Sequence, residues 1–293
     1  MADREKRGEG PARLRAEASA GLSAARRKGA RPDSLLRWTA PTLTVLFVLV
    51  AWQAACTFEA VPSFLLPSPL DVALTLVNDA PLLASHALVT LGEALAGLAC
   101  GVAAGFLLAM AMDRFAVVDK ALSPLVTISQ TIPTVAIAPL LVLWLGYGML
   151  PKVLLVALTT FFPITVSLAS GFRSVDPDVI DLMRTMNASW WQMFRFAKLP
   201  AAADSFFAGL RISATYAVVG AVVAEWLGGF EGLGVYMTRV RKSYRYDQMF
   251  AVIFIISALS LLLMGAVRVL ERACMPWKRV EKHEKPHSLE EKP

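Results

Sequence analysis

Residues 173–200 read RSVDPDVIDLMRTMNASWWQMFRFAKLP, a polar stretch set between two apolar runs, Val153 to Phe172 and Ser205 to Phe230. A connector of that length is no simple turn, and its punctuation predicts two short helices. Asp176 suits an N-cap, Pro177 the first helical position and Asp178 the positive end of the helix, so the first helix should run over about 177–186. Asn187 should end it, because Asn, after Gly, best tolerates a left-handed backbone. Ser189 with Gln192 three positions later has capping-box spacing and restarts the chain. The second helix is expected to stop at Leu199-Pro200. The first offers Val179, Ile180, Leu182, Met183 and Met186 with Asp181 and Arg184 among them, a mixed surface suited to docking in a groove. An amphipathic loop lying on its own bundle is the alternative.

The flanking runs set the fold class. Of 293 residues, 56% are hydrophobic and only 18% charged, and a membrane-crossing helix needs about 20 mostly apolar residues. Trp38 to Phe58, Ala94 to Met112, Ala121 to Pro151, Val153 to Phe172 and Gln248 to Val267 carry no charge apart from Lys152 beside the fourth run. Ser205 to Phe230 is interrupted by Arg211 and Glu225 yet is long enough to cross, with both charges turned to the bundle interior. The expectation is an all-α membrane protein of six transmembrane helices. Its membrane domain is residues 38–272, preceded by a disordered, basic cytosolic tail at 1–37 and followed by a polar cytosolic tail at 273–293. Placing the N-terminus in the cytosol puts 23 Lys and Arg inside and 5 outside, with Arg211 within a span. Arg239, Arg241, Lys242 and Arg245 form the one local exception. Cys56, Cys100 and Cys274 lack any CxxC spacing, so neither a disulfide framework nor a metal site is indicated.

Three further features bear on packing. Ser68-Pro69 with Asp71 reads as the capped start of a short helix too short to cross. Gly97, Gly101 and Gly105 recur every fourth residue and make a groove where a neighbouring backbone approaches closely. The third run holds Pro124, Pro133 and Pro139, so a straight helix is not expected, and a broken one is tolerated where it meets protein or lines a cavity. Gln130 and Thr131 beside the break, with Thr160, Tyr216 and Glu225, are the candidate lining of a solute pathway. Repair of the kink by hydrogen bonding is the alternative for the first two. On the pathway reading, Glu225→Ala abolishes transport and leaves assembly intact.

The stretch from Asp181 to Pro200 resembles the cytoplasmic EAA loop of permease subunits of bacterial ABC importers. The usual acidic residue is met by Asp181, two small residues are replaced by Leu182 and Met183, the glycine by Asn187, and Leu199-Pro200 is kept. The resemblance extends over about residues 60–275, through Leu66-Pro-Ser-Pro69, Ala138-Pro-Leu-Leu-Val-Leu-Trp-Leu-Gly-Tyr-Gly148, Phe161-Phe-Pro-Ile164, Gly220-Ala-Val-Val-Ala-Glu-Trp-Leu-Gly-Gly229 and Gly232-Leu-Gly234. These are similar to the branch serving nitrate, sulfonate, taurine and thiamine-precursor uptake. Ser129-Gln-Thr-Ile-Pro133 and Glu225-Trp-Leu-Gly-Gly229 look most like permeases for hydroxymethylpyrimidine-type precursors, with riboflavin permeases close by.

That resemblance implies a type I ABC importer permease fold in the bacterial cytoplasmic membrane, with a cytosolic coupling helix. Asp181, Leu182, Met183, Arg184, Asn187, Ala188, Leu199 and Pro200 would couple it to the ATPase. The implied partners are cytosolic ATPase subunits, an external solute-binding protein, a second permease copy and membrane lipid, with no nucleic acid. No GxxxxGK[ST] phosphate loop occurs, so ATP and Mg belong to the partner, and no cofactor or metal is expected on this chain. A membrane enzyme would need a compact set of nucleophile, base or metal ligands, and His86 stands alone outside the polar tail. A scaffold or receptor has no need of a capped helix pair at the cytosolic face.

Overall fold

The computed structural model describes residues 34–58, 62 and 65–276, and the regular elements among them are all helical. The tails at 1–33 and 277–293 lie outside the described residues. The chain divides into two units, Met1–Ala60 and Val61–Pro293. The first contributes α1, Ser34–Thr57, in which Leu43 and Val45 to Val50 are all exposed. Its backbone groups are satisfied within the helix, so such a surface suits hydrocarbon.

The second unit begins with α2, Pro69–Asn78, capped as the sequence suggests. Ser68 Oγ accepts from the Asp71 amide at 3.1 Å, and Asp71 Oδ2 accepts from the Ser68 amide at 3.2 Å. Helix α3, Ala80–Arg114, has 35 residues and so is about 50 Å long. After an extended Phe115 come α4, Ala116–Ser129, and α5, Thr134–Leu145, bent by 97° across the break between them. The bend falls at Pro133, whose ring withholds a donor, while Pro124 and Pro139 stay inside helices. Helix α6, Met149–Arg173, follows after a turn in which Gly146 and Gly148 take positive φ.

Glycine spacing sets how α3 meets α6. A side chain at Gly97 would overlap Val156, one at Gly101 would overlap Thr160, and one at Gly105 would run into Ile164. The seam is close backbone packing of the kind membrane helices use in place of a hydrophobic drive. Helix α9, Leu199–Leu227, packs on the same face through Ala202, Ala214, Ala217 and Ala221, all fully buried. Leu263 and Val267 of α11, Tyr246–Cys274, complete that core. A short α10, Leu233–Lys242, links α9 to α11.

The connector forms α7, Pro177–Thr185, then a turn, then α8, Trp190–Met193, which runs through a π-helical turn, Phe194–Lys198, into α9. The expected stop at Pro200 does not occur, and Trp190–Leu227 is one 38-residue helix. The Leu199 amide bonds to Phe194 O, five residues back. That wider ring relieves the helix of the register in which Pro200's missing N–H and its ring would conflict with the preceding turn.

Among the described residues four helices are long and apolar enough to cross a membrane, and five do so if the bent pair counts as one; Thr42–Thr57 of α1 is a shorter apolar helix. Six spans were expected. The remaining expected crossing falls on α1, whose described apolar stretch is Thr42–Thr57.

Candidate functional site

Helix α7 is built to stand away from the bundle. Asp176 Oδ1 accepts from the Asp178 amide at 2.9 Å. At the other end Asn187 has φ 60°, its amide bonding to Arg184 O and that of Ala188 to Met183 O, both at 2.9 Å. This is the paired hydrogen bonding of a Schellman stop. Ser189 and Gln192 then form the expected capping box. None of the nine residues of α7 is buried. Leu182 is 61% exposed and Met186 74%, beside an exposed ion pair of Asp181 and Arg184 at 2.9 Å. Of the other residues named for coupling, Met183 and Ala188 are half-buried, while Leu199 and Pro200 belong to the continuous helix that leads into α9.

The five pathway candidates separate into two groups. Gln130, Thr131 and Tyr216 are exposed, the last at 52%. Thr131 Oγ1 donates to Ile128 O at 2.7 Å, which patches the α4–α5 break. Thr160 and Glu225 are buried, Thr160 Oγ1 donating to Val156 O within its own helix at 2.9 Å against Gly101. Among the described residues no hydrogen bond or ion pair joins one of the five to another.

Glu225 is 2% exposed and fully engaged. Its Oε1 accepts from Thr90 Oγ1 at 2.7 Å and its Oε2 from the Gly234 amide at 2.5 Å. Thr90 Oγ1 also accepts from the Leu233 amide at 2.9 Å, and His86 Nδ1 accepts from the Gly232 amide at 3.1 Å. Helix α3 thus supplies side-chain acceptors to the orphan amides at the start of α10, the groups that a helix N-terminus leaves unpaired. A side chain at Gly232, where φ is 120°, would run into the Glu225 carboxylate. Next to this cluster Lys152 Nζ donates to Glu93 Oε1 at 2.6 Å, both side chains 5% exposed.

Sequence reasoning missed Thr90, Glu93 and the role of Lys152, which it counted as a loop charge. The usable signal was that Glu93 and Lys152 are lone opposite charges beside apolar runs, which at membrane depth seek each other. Arg211 pairs with Glu271 of α11 at 2.6 Å. The basic residues Arg239, Arg241, Lys242 and Arg245 are exposed, and Arg239 donates to Phe230 O at 2.7 Å.

The described residues contain no group of His, Cys, Asp and Glu able to hold a metal ion. What they show is a helix without a buried residue, α7, at one end of a small-residue bundle and a buried polar clasp joining α3, α9 and α10. Comparison with known proteins agrees in kind. The chain is 38% identical over 240 residues to the formylaminopyrimidine transport permease protein ThiX of Halalkalibacterium halodurans, covering 82% of this chain and 96% of that one. It is 34% identical over 253 residues to the riboflavin transport system permease protein RibX of Chloroflexus aurantiacus, covering 84% and 94%. In fold it is similar to an inward-facing structure of the MetNI methionine ABC transporter, with TM-score 0.53 and 19% identity over 65% of this chain and 93% of that one. Residues 101–275 match the family described as binding-protein-dependent transport system inner membrane component. The chain belongs to that family and is a permease of the ABC importer type.

Proposed function

We propose that this permease carries a small aminopyrimidine of the thiamine-precursor kind into the cytosol, driven by ATP and Mg bound on separate ATPase subunits. The single observation that carries the cargo is the 38% identity, across nearly the whole length of the relative, to a permease named for formylaminopyrimidine. The uncovered α7 supports the division of labour, with Asp181, Leu182, Met183, Arg184, Asn187 and Ala188 presenting the coupling helix to the ATPase and Leu199-Pro200 passing its movement on. In this reading α1, α3, the bent pair α4–α5, α6, α8 with α9, and α11 make six crossings. In this arrangement the excess of basic residues on the side of the N-terminus and α7 supports a cytosolic position for both.

Two copies of the chain enclose the path, an external binding protein delivers the solute, and ATP closing the ATPase pair shifts the bundle between two access states. Gln130, Thr131 and Tyr216, exposed on one chain, line the path, while Thr160 and Glu225 hold its wall. RibX similarity favours riboflavin as the second reading. Uptake into proteoliposomes holding the permease, its ATPase and its binding protein separates the two. Labelled formylaminopyrimidine should accumulate only with ATP, by about tenfold or more over the ATP-free control, a difference of about 1.4 kcal/mol. Accumulation of riboflavin in its place overturns the cargo.

A further inference from the structure

Helix α7 leaves and rejoins the bundle through two stems, and both stems are tied to one corner. Arg173, the last residue of α6, pairs with Asp119 in the first turn of α4. Lys198, the last residue of the π-helical turn, donates to Asp113 near the end of α3 at 2.6 Å. Between the two acids Phe115 is extended, with φ −123°, and separates α3 from α4. The corner at 113–119 is therefore held from both ends of the α7 excursion.

A wedge of rings fixes the second stem as well. Trp190 stacks on Phe194 at 5.1 Å, Phe194 meets Phe172 of α6 at 5.2 Å, and Arg114 lies 5.4 Å from the Trp190 ring. Because no residue of α7 is fully buried, a push on it reaches the bundle chiefly through these stems. The corner opens directly into α4, whose buried residues reduce to Val126, whereas α3, α6 and α9 carry long buried faces. Few buried contacts mark α4 as the lightly held element. A cavity of about 280 Å³ lined by Asp113, Arg114, Asp119, Phe172 and Arg173 leaves the corner room to move. Within it Asp113 keeps one buried oxygen, Oδ2, without a partner among the described residues.

We propose that Lys198 and Arg173 are positioning residues that pass the movement of α7 to the α3–α4 corner, and through it to the bent pair α4–α5. This rests on α7 being the coupling helix. The two pairs are not equal: Lys198 and Asp113 are 20% and 8% exposed, Arg173 and Asp119 57% and 31%. Screening by water weakens the second pair most, so Lys198 carries the larger share.

The test compares uptake of labelled formylaminopyrimidine with ATP hydrolysis on the same proteoliposomes of the complete complex. For the Arg173→Met, Lys198→Met double variant, hydrolysis should stay near the wild-type rate while uptake falls, raising ATP used per solute about tenfold, at the upper end of coupling effects carried by such networks. Exchanging the charges, Lys198→Asp with Asp113→Lys, should bring the ratio back most of the way. Poor folding lowers both rates in proportion, so the ratio reports coupling alone. A ratio that stays at the wild-type value in the double variant overturns the proposal. Failure of the underlying reading shows in the wild type instead, as a permease that binds no ATPase or takes up no solute with ATP.

Discussion

Replacing Glu225 by Ala is expected to destabilise the folded chain by about 3 kcal/mol or more, which in a marginally stable protein removes most of the properly assembled material. The carboxylate accepts from Thr90 and Gly234 in a site closed to water. Its loss leaves the Gly234 amide without its acceptor, turns the Thr90 hydroxyl back on His86 O at 3.2 Å, and opens a cavity between α3, α9 and α10. Glu225→Gln keeps one amide oxygen as acceptor and should cost roughly 1 kcal/mol. Thermal melting followed by gel filtration of detergent-solubilised protein measures both. This expectation departs from the one drawn on sequence grounds, in which the alanine variant assembles and fails to transport. A Glu225→Ala chain that melts like wild type and yet takes up no solute would return Glu225 to the transport path.

Asn187→Val should uncouple the permease without unfolding it. Asn187 sits at φ 60°, where a left-handed backbone costs an ordinary L-residue about 1–2 kcal/mol and a β-branched one more. The strain falls on the Schellman turn that ends α7 and aims Ala188 and Ser189 into α8. Because the residue is exposed and no residue of α7 is buried, the chain can relieve it by melting α7, so bundle stability changes little. Uptake should then fall about tenfold or more, with ATPase capture reduced alongside, since the docking surface is no longer preformed and binding must supply its ordering. Asn187→Gly should behave as wild type, because glycine takes the same backbone freely. Full uptake by the valine variant would mean that the fixed turn has no part in coupling.

Features legible in the sequence share a physical basis: their partners lie within four or five residues. The capping boxes at Ser68 with Asp71 and Ser189 with Gln192, the Asp176 cap and the Asn187 stop are local hydrogen-bond preferences, and each appears where the residues put it. The Gly97, Gly101 and Gly105 groove was legible for a related reason, since a fixed spacing on one helix decides which face is bare. What it could not supply was the partner, and Val156, Thr160 and Ile164 of α6 had to be seen. The long-range pairs stayed hidden for the same cause. Lys152 lies 59 residues from Glu93, Thr90 lies 135 from Glu225, and Lys198 lies 85 from Asp113.

Pro200 shows a different limit. Read by itself, proline ends a helix, but a π-helical turn just before it removes the conflict. Nothing in local propensity announces that turn, which forms where the Phe194 ring meets Phe172 on one side and stacks on Trp190 on the other. The order of helices and the capped connector at 173–200 were thus written locally, whereas the polar clasp and the ion pairs at the two stems of α7 belong to the assembled bundle.

Seating of α7 on a separate ATPase subunit is read most directly by crosslinking. Leu182→Cys, in a chain whose Cys56, Cys100 and Cys274 are replaced by Ser, places a single thiol on its exposed face. With cysteines introduced one at a time around the apolar groove of the partner ATPase, oxidation in membrane vesicles should give a permease–ATPase disulfide in high yield. The same oxidation with the cysteine moved to Leu262 of α11, on an outer apolar face, should give none. No crosslink from position 182 at any groove position, in vesicles that still take up solute with ATP, would contradict the account.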